Sequence, residues 1–138
     1  MKELFYKIIG SAMDVHRFLR WGLLEAIYQE ALSIELKNRL VQHRLEVNLP
    51  IFYKDIKLEK SYRIDLFVED KVIVEIKAVS DILPEHRMQL FNYMRLTKVK
   101  YGLLINFGEV VLHCERYIYD DDVNECYLVD KNLNRVNC

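Results

Sequence analysis

Two short apolar runs carry charges where none are needed for folding. Arg63 and Asp65 interrupt Arg63-Ile64-Asp65-Leu66-Phe67-Val68, and Glu75 and Lys77 interrupt Val72-Ile73-Val74-Glu75-Ile76-Lys77. Glu69-Asp70-Lys71 lies between them and reads as a turn joining two β-strands. With residues 69–71 as a three-residue loop, Val68 faces Val72, Leu66 faces Val74 and Ile64 faces Ile76. Asp65 then falls opposite Glu75, and Arg63 opposite Lys77. Directly opposed side chains have Cβ atoms about 4.5–5.5 Å apart. Two carboxylates that close repel unless a cation or a shared proton lies between them. Side chains alternate with period two along a strand, so Lys77 shares a face with Glu75. Two carboxylates and an ammonium on one patch suit a divalent metal and a phosphate.

The register decides this reading, because a one-residue slip moves every side chain to the other face. A two-residue loop at Glu69-Asp70 sets Asp65 against Val74 and mixes charge with apolar groups on both faces. The three-residue loop keeps one face wholly apolar, and a five-residue loop also keeps the faces consistent. An ordinary hairpin with a charged, solvated outer face would show the same pattern.

The elements that must position these residues follow from periodicity. Leu4, Phe5, Ile8, Ile9, Ala12, Met13, His16 and Leu19 recur at helical spacing over residues 3–19. Arg20-Trp21-Gly22 breaks the pattern, and a second helix runs from about Leu23 to Leu40 with Leu24, Ile27, Tyr28, Ala31 and Leu32 inward. Leu45, Val47, Leu49 and Ile51 alternate with polar residues or Pro50, as in a half-buried strand. Pro50 has no amide donor, so it marks an edge or a bulge. Pro84 opens a helix reaching about Leu96. Val99 to Phe107 is nearly all apolar and reads as a buried central strand. Val110 to Tyr119 reads as one more strand or two short ones, and the tail from Asp120 stays unassigned. The order is helix, helix, strand, strand, strand, helix, strand, strand. A helix between two strands of one sheet permits a right-handed parallel crossover.

The 138 residues suit a single domain, residues 1–138, with one core. No apolar run approaches the roughly 20 residues of a membrane-spanning helix, so no membrane is expected. The N-terminus does not read as a signal peptide. Cys114, Cys126 and Cys138 are odd in number and lack CxxC spacing, which points to a reducing cytoplasm, with no disulfide framework or zinc site. The net charge of −1 argues against holding nucleic acid by bulk charge but leaves room for a local basic face. Lys54, Lys57, Lys60, Arg63 and Lys77 cluster around the hairpin.

The ordered set of motifs resembles the PD-(D/E)XK nuclease superfamily, and within it the family named for its GxxExxY motif. That motif reads here as Gly22-Leu23-Leu24-Glu25-Ala26-Ile27-Tyr28. Tyr62-Arg63-Ile64-Asp65, Val74-Glu75-Ile76-Lys77, Gln89-Leu90-Phe91-Asn92-Tyr93 and Gly102-Leu103-Leu104-Ile105-Asn106-Phe107-Gly108 follow in order, so the likeness covers about residues 5–118. The chain departs from the family at Arg20-Trp21, where a Gly-Pro is common, and at Asn38-Arg39, where many members place a Gly.

The resemblance implies a restriction-endonuclease-like α/β fold, a central mixed sheet flanked by helices. It implies Mg²⁺- or Mn²⁺-dependent phosphodiester hydrolysis of DNA or RNA. Asp65 and Glu75 resemble the metal-binding carboxylates, with the Ile76 carbonyl as a further ligand. Lys77 resembles the catalytic lysine. Glu25 resembles the helix carboxylate that completes the metal site and is expected to point into the pocket. Gln89 resembles the helix glutamine that supports the lysine or a phosphate, and Tyr28, Arg63 and Tyr93 would line the pocket. A homodimer is among the expected partners, and a partner protein is the expected source of any sequence specificity. The rival reading is a noncatalytic nucleic-acid- or protein-binding module, or an oligomeric scaffold, on the same fold. His16 and His86 are read as core or rim histidines.

Overall fold

A computed structural model describes residues 1–137 of the chain; Cys138 lies outside the described residues. Leu4, Phe5, Ile8, Ala12 and Val15 are buried along one stripe of α1 (Lys2–Leu19). Arg20, with φ of 64°, and Gly22, with φ of 95°, then turn the chain, and α2 spans Glu25–Asn38. The strands are β1 (His43–Tyr53), β2 (Ile56–Val68), β3 (Val72–Lys77), β4 (Tyr101–Asn106), β5 (His113–Asp120) and β6 (Glu125–Val129), with α3 (Pro84–Thr97) between β3 and β4. All six form one sheet in sequence order. The β3–β4 pair is parallel and every other pair is antiparallel. The single parallel step follows from α3, because a parallel pair requires a long crossover.

Each face of the sheet has its own core. α1 and α2 cover Leu66, Val68, Val72, Val74, Ile76, Leu103 and Ile105. α3 brings Leu90, Tyr93 and Met94 against Phe67, Ile73, Leu104 and Tyr117 on the other face. A Cβ on Gly102 would come within 2.4 Å of the Met94 sulfur, so the bare backbone there lets α3 sit close on β4. A bidentate pair adds a polar anchor: Arg87 on α3 donates to both oxygens of the buried Glu115 carboxylate on β5, each at 2.8 Å. Tyr117 and His113 donate to the same carboxylate. Burial alone would raise the Glu115 carboxyl, but hydrogen bonds from Arg87, Tyr117 and His113 outweigh it and hold it down at about 2.

The hairpin loop is the three-residue one. Val68 pairs with Val72, Phe67 with Ile73 and Leu66 with Val74. Glu69 and Asp70 take left-handed φ values of 50° and 54°, and the Lys71 N–H returns to the Val68 carbonyl at 2.9 Å. The expected continuation of that ladder does not form. β2–β3 pairing stops at Leu66–Val74, so none of the expected pairs Asp65–Glu75, Ile64–Ile76 and Arg63–Lys77 forms. At the same level β1 is irregular too: Glu46, between the Leu45–Leu66 and Val47–Ile64 pairs, takes φ of 53°. Beyond it β2 leaves β3 and continues with β1 as a two-stranded ribbon. Ile64 consequently packs on the α3 side with Leu49 and Phe67. Pro50 lies on the edge strand, next to a register shift between Pro50 and Phe52.

The tail left unassigned from Asp120 contributes β6, the other edge strand. Its segment Glu-Cys-Tyr-Leu-Val pairs with β5 through Tyr119–Cys126 and Tyr117–Leu128. Cys114 and Cys126 are free, half-buried thiols raised to about 12 and about 11 by burial. No helix among the described residues is long and apolar enough to cross a membrane.

Candidate active site

Where β2 and β3 part, a side chain replaces the backbone ladder. The Asp65 carboxylate reaches across and accepts the Ile76 N–H at 2.9 Å. The Asp65 carbonyl is held from the other side by the Gln29 side-chain amide of α2, at 2.8 Å. Asp65 is thus fixed at both ends by groups on two different elements. Glu75, one residue before Ile76, is buried on the α3 face, and its Oε1 has no hydrogen-bond partner. A buried carboxylate oxygen without a partner is costly. Burial first, and then the charge of Asp65, push the Glu75 carboxyl up to about 8. Asp65 is raised as well, by burial first, against the opposing Ile76 hydrogen bond, and by the charge of Glu25. The charge of Lys77 offsets part of the rise at both acids.

Lys77 closes the β3 strand on the same face as Glu75. Its Nζ donates to the Gln89 Oε1 at 2.6 Å, and the Gln89 amide in turn donates to the Tyr93 hydroxyl at 2.8 Å. Burial and then the charge of Glu75 raise the Tyr93 phenol to about 12, so it stays protonated. Tyr93 also packs against Tyr62 of β2, with ring centroids 4.5 Å apart. The four residues Asp65, Glu75, Lys77 and Gln89, with Tyr93 behind them, therefore gather beside α3 where β2 and β3 part.

Three expected site residues lie elsewhere. Glu25 does not enter the pocket; it is exposed at the first residue of α2. Its charge still acts on Asp65 and Glu75, which places it near the rim. Along α2, Tyr28 and Leu32 are buried while Glu25, in the first turn, is not. Tyr28 is fully buried and stacks on Phe107 at 4.6 Å. Its hydroxyl donates to the Arg20 carbonyl and accepts the Leu23 N–H, so it stitches the α1–α2 turn and touches neither acid. Arg63 is exposed and paired with Glu46 at 2.7 Å, away from Lys77. His16 donates to the Glu109 carbonyl and His86 accepts the Leu83 N–H at the start of α3, both structural tasks.

Sequence reasoning missed two further contributors. Gln29 is one, and its only signal was a place one residue beyond Tyr28 on the α2 face toward β2. Asn106 is the other: it stands inside the Gly102–Gly108 motif, which assigns it no role. It is fully buried; its Oδ1 accepts the Val79 and Gly108 N–H groups, and its Nδ2 donates to the Val79 carbonyl and to Glu109. The Phe107 N–H holds the Lys77 carbonyl at 2.8 Å. Gly108 lies so close to Val79 that a Cβ would come within 2.3 Å of its carbonyl oxygen. Together they pin the chain immediately after Lys77.

No group of three or more His, Cys, Asp and Glu side chains among the described residues is close enough to form a metal cage. The donor set is instead two carboxylates, one of which has a free buried oxygen. A hard cation that keeps several waters needs no more than one or two carboxylates, so Asp65 and Glu75 fit such an ion. No curated protein and no solved structure matches the chain. A family model for the PD-(D/E)XK nuclease superfamily does match, over residues 2–117. That span takes in both helices before the sheet, the parted β2–β3 junction, α3 and most of β5. The mixed sheet with helices on both faces is the restriction-endonuclease-like arrangement, and the chain belongs to the PD-(D/E)XK nuclease superfamily.

Proposed function

We propose that this protein hydrolyses phosphodiester bonds of nucleic acid with a divalent cation, Mg²⁺ or Mn²⁺, held by Asp65 and Glu75. One observation carries the reading: the buried Glu75 Oε1 has no protein partner. Such an atom is tolerated where a cation or a proton completes it. The Ile76 carbonyl is a further candidate donor, and exposed Glu25 would act through an intervening water. A bound cation would polarise a phosphate and make a coordinated water more acidic. The chain's own residues supply the rest. Lys77, oriented by Gln89, places an ammonium beside the acids, where it would steady the attacking water and the charge growing on the phosphate. Gln89 is itself fixed by Tyr93, so the ammonium is positioned before substrate arrives. The GxxExxY segment supports assignment to that family, through Tyr28 as the stitch of the α1–α2 turn and Glu25 at the rim. The free thiols of Cys114 and Cys126 suit a cytoplasmic protein.

Metal binding tests this reading apart from turnover. Mn²⁺ should raise the melting temperature of the wild type, because a ligand of the folded state stabilises it by mass action. Asp65→Asn and Glu75→Gln should each abolish the shift. A full shift in both variants would place the metal elsewhere and remove the basis for the proposed site.

A further inference from the structure

The β1–β2 ribbon beyond the sheet is the least explained part of the molecule. Residues 52–61 are exposed without a break, on both faces and through the turn. Four of them are large and apolar: Phe52, Tyr53, Ile56 and Leu58, with Ile56 68% exposed. A lone two-stranded hairpin is marginal in water, and apolar side chains on it have nothing to pack on. Residues 52–63 carry four cations and two anions in a chain whose net charge is −1, so the ribbon is basic against an acidic remainder. Lys54, Lys57 and Lys60 take part in no ion pair among the described residues.

The ribbon also leads somewhere. Alternation along β2 puts Ile56, Leu58, Lys60 and Tyr62 on one face. Tyr62 packs on Tyr93, Tyr93 accepts from Gln89, and Gln89 holds Lys77. One continuous strip therefore runs from the ribbon tip to the candidate catalytic lysine. Lys57 points to the opposite face, so cations flank the ribbon on both sides.

We propose that residues 52–60 form an arm that enters the major groove of duplex DNA and delivers the adjoining backbone to Lys77; this rests on the nuclease reading above. The dimensions decide the ligand. A ribbon with side chains on both faces is about 10 Å across, the spacing of packed sheets. The B-form major groove is about 12 Å wide and admits a two-stranded ribbon. The major groove of A-form RNA is too narrow to be entered by side chains, let alone a ribbon. Cations on both faces meet the phosphates on the two walls of a groove. Apolar side chains at the tip meet base edges and thymine methyl groups.

The test measures binding of a fluorescent 20-base-pair DNA duplex, an RNA duplex of matching sequence and a single strand. Chelator is present, so nothing is cut, and salt is varied. The wild type should bind the DNA duplex at least ten-fold more tightly than the RNA duplex. Lys54→Gln/Lys57→Gln/Lys60→Gln should melt at the wild-type temperature yet lower the slope of log affinity against log salt by about 2 to 3, at about 0.9 per phosphate neutralised. Ile56→Ser/Leu58→Ser should weaken DNA binding while leaving that slope alone. An unchanged slope in the triple variant, or equal affinity for DNA and RNA duplexes, overturns the arm. So does a wild type that binds no nucleic acid but self-associates through this ribbon, becoming monomeric in Ile56→Ser/Leu58→Ser. The two readings fail separately. Metal-dependent cleavage that survives with an unchanged slope sinks the arm alone. The predicted slope change in a protein that never cuts sinks the nuclease alone.

Discussion

Asp65 bonds the Ile76 N–H with its side chain at the point where the β2–β3 backbone ladder ends. A carboxylate thus substitutes for a strand, and the parting of the strands makes room for a site. This bond distinguishes two substitutions. Asp65→Asn retains an acceptor for Ile76 and should cost little stability. Asp65→Ala leaves a buried N–H unpaired and should cost about 1–3 kcal/mol, read as the difference in chemical denaturation between the two variants.

Glu75 predicts the pH dependence of the metal-free protein. Its folded pKa of about 8 lies above the ordinary value of 4.5. Its contribution to stability is therefore fully present below about pH 4.5 and is lost as pH rises through 8. In chelator, Glu75→Gln should remove that decline and gain on the order of a few kcal/mol over wild type above pH 8. Parallel stability curves for the two proteins between pH 5 and 9 would show that Glu75 is not held in its protonated form.

Glu115 should behave with the opposite sign. Its folded carboxyl is held at about 2, below the ordinary 4.5. Its pairing therefore stabilises fully above pH 4.5 and fades as pH falls toward 2. Glu115→Gln should cost about 1–3 kcal/mol at pH 7, since it strands the half-buried Arg87. The deficit should shrink in acid. Because Arg87 anchors α3, the variant should also weaken the Lys77–Gln89 contact, visible as faster exchange of the Lys77 ammonium protons.

Two glycines give a matched pair. Gly10 lies within α1, and a Cβ there meets nothing within 4 Å. Gly10→Ala should raise stability by roughly 0.5–1 kcal/mol. Gly108→Ala would drive a methyl into the backbone of Val79 and should lower the melting temperature sharply. Equal effects of the two would mean that the 106–108 segment does not hold the chain after Lys77 as described.

Much of this is legible in the sequence. The three-residue loop follows from keeping Leu66, Val68, Val72 and Val74 on one face, and those four do share a core. The parallel β3–β4 step follows from a helix between two strands. Lys77 and Gln89, taken from separate stretches of the sequence, do meet, at 2.6 Å, and the charge of Asp65 does act on Glu75. The failures share a cause. A left-handed Glu46 inside an apparently regular strand and the end of the β2–β3 ladder at Leu66–Val74 have no period-two signature, so the expected pairings of Arg63, Ile64 and Asp65 across to β3 do not hold. β6 was missed because Glu125–Val129 is short and follows an Asp-rich turn. Glu25 is expected inside because helical spacing gives the face of a residue but not whether the first turn of its helix is covered, and here it is exposed. Gln29 and Asn106 are single amides whose roles arise only from long-range packing.

The central claim is tested most directly by cleavage. Plasmid and linear DNA, single-stranded DNA and RNA should be incubated with Mg²⁺ or Mn²⁺ and wild type, Glu75→Gln or Lys77→Ala. The account predicts metal-dependent phosphodiester products from the wild type on at least one substrate, abolished by chelator. Both variants should lose about 100-fold or more in rate. Lys77→Ala should still show the Mn²⁺-induced rise in melting temperature, because its lysine acts on the reaction more than on the ion. Wild type that binds Mn²⁺ yet cuts none of the substrates, or cleavage that survives Glu75→Gln undiminished, would contradict it.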